Sequence, residues 1–254
     1  MTGLSIPYRG DTVLTAALDR PKSAPKAILV LAHGSSAEGK DHPLLAAFGA
    51  ALSSRHIACL RFDFPFVTQG KTTPNNDAVL DEAFTRALEY ACAHFPGIPV
   101  IAAGKSSGAR AAARVTIALA RPGKRLPEGM RPPDGALFLT YPLHPAGKIG
   151  VPADTPAAHC PRPMLFIQGT RDAFANTACM REFVTGALAS RAGIHFIEGG
   201  DHALRGCGKE PEAIIAECAA RAADFLGALQ RERRAAGTKT LQPNYSSSGG
   251  ENDS

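Results

Sequence analysis

Short, continuous apolar runs alternate along the chain with longer stretches whose apolar residues recur every three or four positions. Runs of the first kind are Ala27–Ala32 (AILVLA), Ile57–Phe64 (IACLRFDF), Pro99–Ala103 (PVIAA), Gly135–Tyr141 (GALFLTY), Met164–Gln168 (MLFIQ) and Ile194–Ile197 (IHFI). Each is too short for a typical helix and mostly apolar at consecutive positions, the pattern of a strand covered on both faces. Ahead of them, Ile6–Tyr8 and Val13–Leu18 flank Gly10-Asp11 and predict a hairpin.

Between these runs the period changes. Pro43–Leu52 has helical spacing, and Asp77–His94 sets Leu80, Phe84, Leu88 and Ala91 along one face before Pro96-Gly97 stops it. Alanine-rich Ala109–Ala120 predicts a helix of little bulk, and Thr177–Ser190 another helix. A last one, Pro211–Leu229, turns Ile214, Ile215, Cys218, Phe225 and Leu229 inward. The proline- and glycine-rich segment Arg121–Asp134 reads as a loop. Strands alternating with helices predict an α/β protein with a mostly parallel twisted sheet and helices on both faces. No repeat or shift in composition divides residues 1–230, which read as one domain. Residues 231–254, basic and then rich in Ser and Gly, predict a disordered tail.

Composition changes this picture little. Of 254 residues, 44% are hydrophobic and 20% charged, ordinary values for a globular protein. The net charge of +5 is concentrated, because Arg231, Arg233, Arg234 and Lys239 stand against only Glu232 near the C-terminus. With aromatics at 6% and no Trp, an interleaved basic and aromatic nucleic-acid face is not expected. Six cysteines include no C-x-x-C pair, so neither a metal site nor a redox motif is expected. The N-terminus lacks a basic region followed by an apolar run, and no apolar stretch reaches membrane-spanning length. The expectation is a cytoplasmic chain with no membrane association and no cofactor.

The candidate chemistry begins at Gly104-Lys105-Ser106-Ser107-Gly108, a G-x-S-x-G pattern directly after a strand and directly before a helix. A serine on so sharp a turn needs very small residues two positions before and after. Gly104 and Gly108 meet that need around Ser106, whereas a motif centred on Ser107 would place Lys105 there. A phosphate-binding loop is excluded, since its first glycine would fall at Pro99.

A serine hydroxyl is a weak nucleophile at neutral pH and needs a base held in one tautomer by an acid. The expected order is serine, acid, histidine. Asp172 follows the strand Met164–Gln168 and His202 follows Ile194–Ile197, both at the C-terminal strand ends where open α/β sheets collect their sites. Rival bases are His33, His144, His159 and His195, and a rival acid is Asp201. His33 and His144 precede the acid, His195 lies within a strand, and Asp201 is too close to His202 in sequence to reach its ring. Backbone amides of Ser107 and of Ser35, or alternatively Ser36, are expected to form an oxyanion hole. Phe64, Phe66 and Tyr141, also beyond strand ends, are candidate pocket-wall residues.

Six segments carry a resemblance: LAHGSS (Leu31–Ser36), RFDFPF (Arg61–Phe66), GKSSGAR (Gly104–Arg110), YPLHPAGK (Tyr141–Lys148), FIQGTRDAF (Phe166–Phe174) and GGDHAL (Gly199–Leu204). In these the chain resembles capless α/β hydrolases related to dienelactone hydrolase, and more closely their testis-expressed protein 30-like branch. The resemblance implies the α/β-hydrolase fold with Ser106, Asp172 and His202 as catalytic triad. The chain departs at Ser107 and Ala109, where the family pattern has Met and Gly, and at Ser35-Ser36-Ala37, where it often has Ala-Gly-Ala.

The short interval from Ser106 to Asp172 leaves no room for a sizeable lid. The expected substrate is therefore a small or extended ester or thioester, cleaved by a serine hydrolase. Two rivals remain: a non-catalytic interaction module on the same fold, and a serine peptidase acting on short peptides.

Overall fold

The computed structural model describes residues 3–150 and 154–240. Each continuous apolar run forms a strand: β3 Ala27–Ala32, β4 Ile57–Phe62, β5 Val100–Lys105, β6 Gly135–Leu139, β7 Met164–Gly169 and β8 Ala192–Ile197. The hairpin is β1 Gly3–Pro7 with β2 Val13–Asp19, antiparallel, Pro7 opposite Val13. All eight strands form one sheet in the order β1-β2-β4-β3-β5-β6-β7-β8. β2 joins β4 antiparallel, and every pairing from β4 to β8 is parallel.

The α-helices are α1 Pro43–Ser53, α2 Pro65–Thr68, α3 Asp77–His94, α4 Ser107–Ala120, α5 Thr177–Glu182 and α6 Pro211–Thr240. Every residue of β3 to β7 is buried, as a doubly covered sheet requires. Two apolar clusters result. One lies between the sheet and α3 and α4, the other between the sheet and α1 and α6. In α4, Ala109, Ala111, Ala112 and Ala113 are fully buried, and these small side chains let the helix lie close against the sheet. Arg114 clamps α4 to α3 through two hydrogen-bonded nitrogens on Asp81. Among the described residues between β6 and β7, one 3-10 turn, Pro156–His159, is the sole helical element, and no lid is built there. Among the described residues, no helix is long and apolar enough to cross a membrane.

Among the elements that differ from expectation, three have a visible physical cause. β4 stops at Phe62, because Phe64 enters the short helix α2, which begins with Pro65. α5 ends at Glu182 and widens into a π-turn over Phe183–Ala187, where the Thr185 hydroxyl donates to the Arg181 carbonyl and competes with the helical ladder. α6 runs to Thr240, well past Leu229. Its extension carries good helix formers and is tied down, since Gln230 donates to the Lys26 carbonyl and Arg233 pairs with Asp134 at 2.8 Å. Residues 231–240, expected to begin the disordered tail, are therefore helical, and residues 241–254 lie outside the described residues. All six cysteines are free thiols. Burial, the dominant cause, pushes the Cys218 thiol up to about 12.

Candidate active site

Ser106 stands at the junction of β5 and α4 with φ 55° and ψ −122°, a strained conformation for a residue with a side chain. The turn is held by a bond from the Ser106 amide to the Leu139 carbonyl, 3.1 Å. The flanking glycines are sterically required. A Cβ on Gly104 would come within 2.3 Å of the Gly108 carbonyl, and one on Gly108 within 2.3 Å of the His33 carbonyl oxygen. The ends of β5, α4 and β3 are thus stacked backbone on backbone, which presses the loop after β3 against the serine.

Two turns bring up the other groups. The Arg171 amide donates to the Gly200 carbonyl, 2.8 Å, and the Thr170 amide to Ile197, 3.1 Å, so the loops after β7 and β8 run together. The Asp172 carboxylate is fully withdrawn from solvent, whereas the His202 side chain keeps 24% of its exposure. His202 Nδ1 lies 2.8 and 3.0 Å from the two carboxylate oxygens, and its Nε2 lies 2.9 Å from Ser106 Oγ. With Nδ1–H donating to Asp172, Nε2 is left unprotonated to accept the serine proton.

The remaining oxygen capacity of Asp172 is also used. The Phe174 amide donates to Oδ1 at 2.8 Å, and Gln168 Nε2 donates to Oδ2 at 2.5 Å. The Phe174 ring packs on the His202 ring with centroids 4.6 Å apart. Asp201, the rival acid, instead accepts from the amides of Ala203 and Arg205 and shapes the turn that carries His202. Desolvation opposes the effect, but those amide bonds hold its carboxyl below the usual range.

The rival histidines all have other partners or positions. His33 is buried, its Nδ1 donating to the Gly34 carbonyl at 2.6 Å and its Nε2 accepting from the Phe64 amide at 2.9 Å. It is therefore neutral and fixes the loop beside Ser106. Burial lowers its pKa, with the Gly34 bond acting against. His144 accepts from the Asn176 amide, steadying the loop beyond Asp172, while His195 pairs with Glu217 and His159 is exposed.

The hydroxyls of Ser35 and Ser107 approach to 3.2 Å, so the two predicted amide contributors are neighbours. Ser107 is the first residue of α4, where an amide has no carbonyl of the same helix to bond. Its N–H is available to a developing negative charge.

The predicted pocket wall needs correction. Phe64 and Phe66 are each 1% exposed and Tyr141 is 0%. The two phenylalanines pack edge-on around His33, and the Tyr141 hydroxyl bonds Thr155 at 2.9 Å. They brace the site from behind because the residues beyond β4 and β6 turn back into the core. Sequence reasoning missed His33 as a brace, Gln168 and Phe174. Gln168 left a signal, a polar residue closing the apolar run MLFIQ.

A lidless eight-stranded sheet of this order, with a strained serine between its fifth strand and the following helix, defines the α/β-hydrolase fold. Residues 25–227 match the alpha/beta hydrolase domain family, and the chain belongs to it. No curated protein matches the sequence. Among solved structures, the chain is similar to a lidless α/β serine hydrolase from Xanthomonas campestris. The TM-score is 0.61 at 20% identity, covering 92% of this chain and 94% of the other. A dienelactone hydrolase from Anabaena variabilis gives 0.65 at 18%, covering 89% and 96%. A propionate-bound esterase from Thermogutta terrifontis gives 0.64 at 16%, covering 90% and 94%.

Proposed function

We propose that the protein is a serine hydrolase that cleaves a carboxylic ester or thioester through an acyl-enzyme on Ser106. The observation that carries this reading is the unbroken hydrogen-bonded chain from Asp172 through His202 to Ser106 Oγ. His202 Nε2 takes the hydroxyl proton as Oγ attacks the carbonyl carbon, and Asp172 stabilises the imidazolium that forms. The carbonyl oxygen, now negative, is met by the amides of Ser107 and Ser35. His202 then gives its proton to the leaving alcohol or thiol. Water repeats the sequence to release the acid, with the proton returning to Ser106.

The family and the lidless, esterase and dienelactone hydrolase neighbours support hydrolysis of a small acyl compound. We further propose the testis-expressed protein 30-like branch, a reading supported by the six segments LAHGSS, RFDFPF, GKSSGAR, YPLHPAGK, FIQGTRDAF and GGDHAL.

Hydrolysis of p-nitrophenyl acetate tests the reading. The wild-type protein should turn it over, and Ser106→Ala should lose on the order of a million-fold in kcat. Equal rates in the two proteins would end it.

A further inference from the structure

A cavity of about 570 Å³ opens beside the loop that carries His202, between the N-terminal ends of α1 and α6. Its size falls within the range of small-molecule sites. Its apolar lining comes from Leu44 and Ala47 of α1, Leu204 of the loop, and Ile214 and Ile215 of α6. Both of its loop walls continue from the reactive site. Ala203–Gly206 follow His202 directly, and Glu38 and His42 lie just beyond the Ser35 turn. Leu204, though branched and bulky, holds φ 59° and is buried. Strain of this kind persists only where surrounding structure enforces it. Here Asp201 enforces it, accepting from the amides of Ala203 and Arg205 through its side chain and from Leu204 through its carbonyl.

The charges around the cavity select against a charged guest. Glu38 and Glu212 stand against Arg205 and Lys209, all four exposed, and Lys209 is already paired with Glu217 at 2.7 Å. His42 is held toward its neutral form by burial and by the nearby Lys105 charge. The rim carries charges of both signs and the floor is apolar.

Orientation follows from the proton. The leaving oxygen must come within hydrogen-bond reach of His202 Nε2 to be protonated, so the group attached to it lies on the side of the His202 loop. The geometry points to this cavity as the site for the leaving-alcohol arm of the substrate, an uncharged apolar chain. The inference rests on the serine-hydrolase reading above.

Two ester series test it: n-alkyl acetates from ethyl to hexyl, which vary the alcohol, and ethyl esters from acetate to hexanoate, which vary the acyl group. Ala47 is exposed on the cavity wall, so Ala47→Phe narrows the space without disturbing the core. In the wild-type protein kcat/KM should rise about two- to fourfold per methylene along the alkyl acetates. All members of that series share one acetyl-enzyme, so a deacylation-limited kcat stays constant. Ala47→Phe should flatten the rise along the alkyl acetates, while the relative rates within the acyl series, all of them ethyl esters, keep their wild-type order. A flat wild-type alkyl series, an alkyl series unchanged by Ala47→Phe, or an effect on the acyl series instead would overturn the assignment while leaving the hydrolase reading intact. Failure of wild type and variant alike to hydrolyse any of these esters or the matching S-alkyl thioacetates would overturn both.

Discussion

Gly108→Ala probes the tightest part of the site. An added Cβ would meet the His33 carbonyl oxygen at 2.3 Å, the Ala32 oxygen at 2.8 Å and the Ala32 carbonyl carbon at 3.0 Å. All three are backbone atoms, so no side chain can swing aside. Relief requires α4 and the end of β3 to separate by nearly an ångström. Overpacking of this kind costs about 1–3 kcal/mol, sometimes more. The same movement parts the Ser107 amide from the Ser35 loop, and a 1 Å misplacement in a reactive array costs about a hundredfold in rate.

Urea unfolding and steady-state hydrolysis of p-nitrophenyl acetate read the two effects separately. The matched control is Gly186→Ala, where an added Cβ meets nothing within 4 Å and φ is not positive. There the change should be neutral or stabilise by about 0.4–1 kcal/mol. A Gly108→Ala protein with wild-type midpoint and rate would refute the argument that the elbow glycines are sterically required.

Other consequences follow from the braces. Gln168→Leu keeps bulk but removes the donor to Asp172 Oδ2, a charge-assisted bond worth about 1.5–3 kcal/mol. Its kcat for p-nitrophenyl acetate should fall roughly ten- to a hundredfold with KM little changed, and an unchanged kcat would contradict that role. His33 is neutral when folded and its pKa is lowered by burial, so the unfolded chain binds its proton first as pH falls. The contribution is present above the unfolded value near 6.5 and is lost on acidification toward the lowered folded value. His42, lowered chiefly by burial, acts in the same direction. Urea unfolding between about pH 7 and 5 should show a shallower loss of stability in His33→Asn, by up to about 1.4 kcal/mol per pH unit. Parallel slopes in the two proteins would argue against a buried neutral ring.

The sheet was legible because strands buried on both faces are written as unbroken apolar runs. AILVLA and MLFIQ are such runs, and the structure uses each nearly to the residue. Chain order and strand ends also identified Ser106, Asp172 and His202, which the structure brings into contact. What failed depends on which way a residue turns after its strand. Phe64, Phe66 and Tyr141 stand beyond strand ends as pocket residues do, but backbone turns carry them into the core. The true length of α6 was hidden because Arg233 and Gln230 find partners on Asp134 and Lys26, far away in sequence. His33 was weighed only as a rival base, since nothing local reveals that the Phe64 amide meets its ring.

The account depends on the Ser106 hydroxyl being activated by His202. Reaction of the intact protein with a fluorophosphonate, followed by mass spectrometry of its peptides, measures that directly. The adduct should lie on Ser106, disappear in Ser106→Ala and form far more slowly in His202→Ala. An adduct on Ser107, Ser35 or any other residue, or labelling of Ser106→Ala at the wild-type rate, would contradict it.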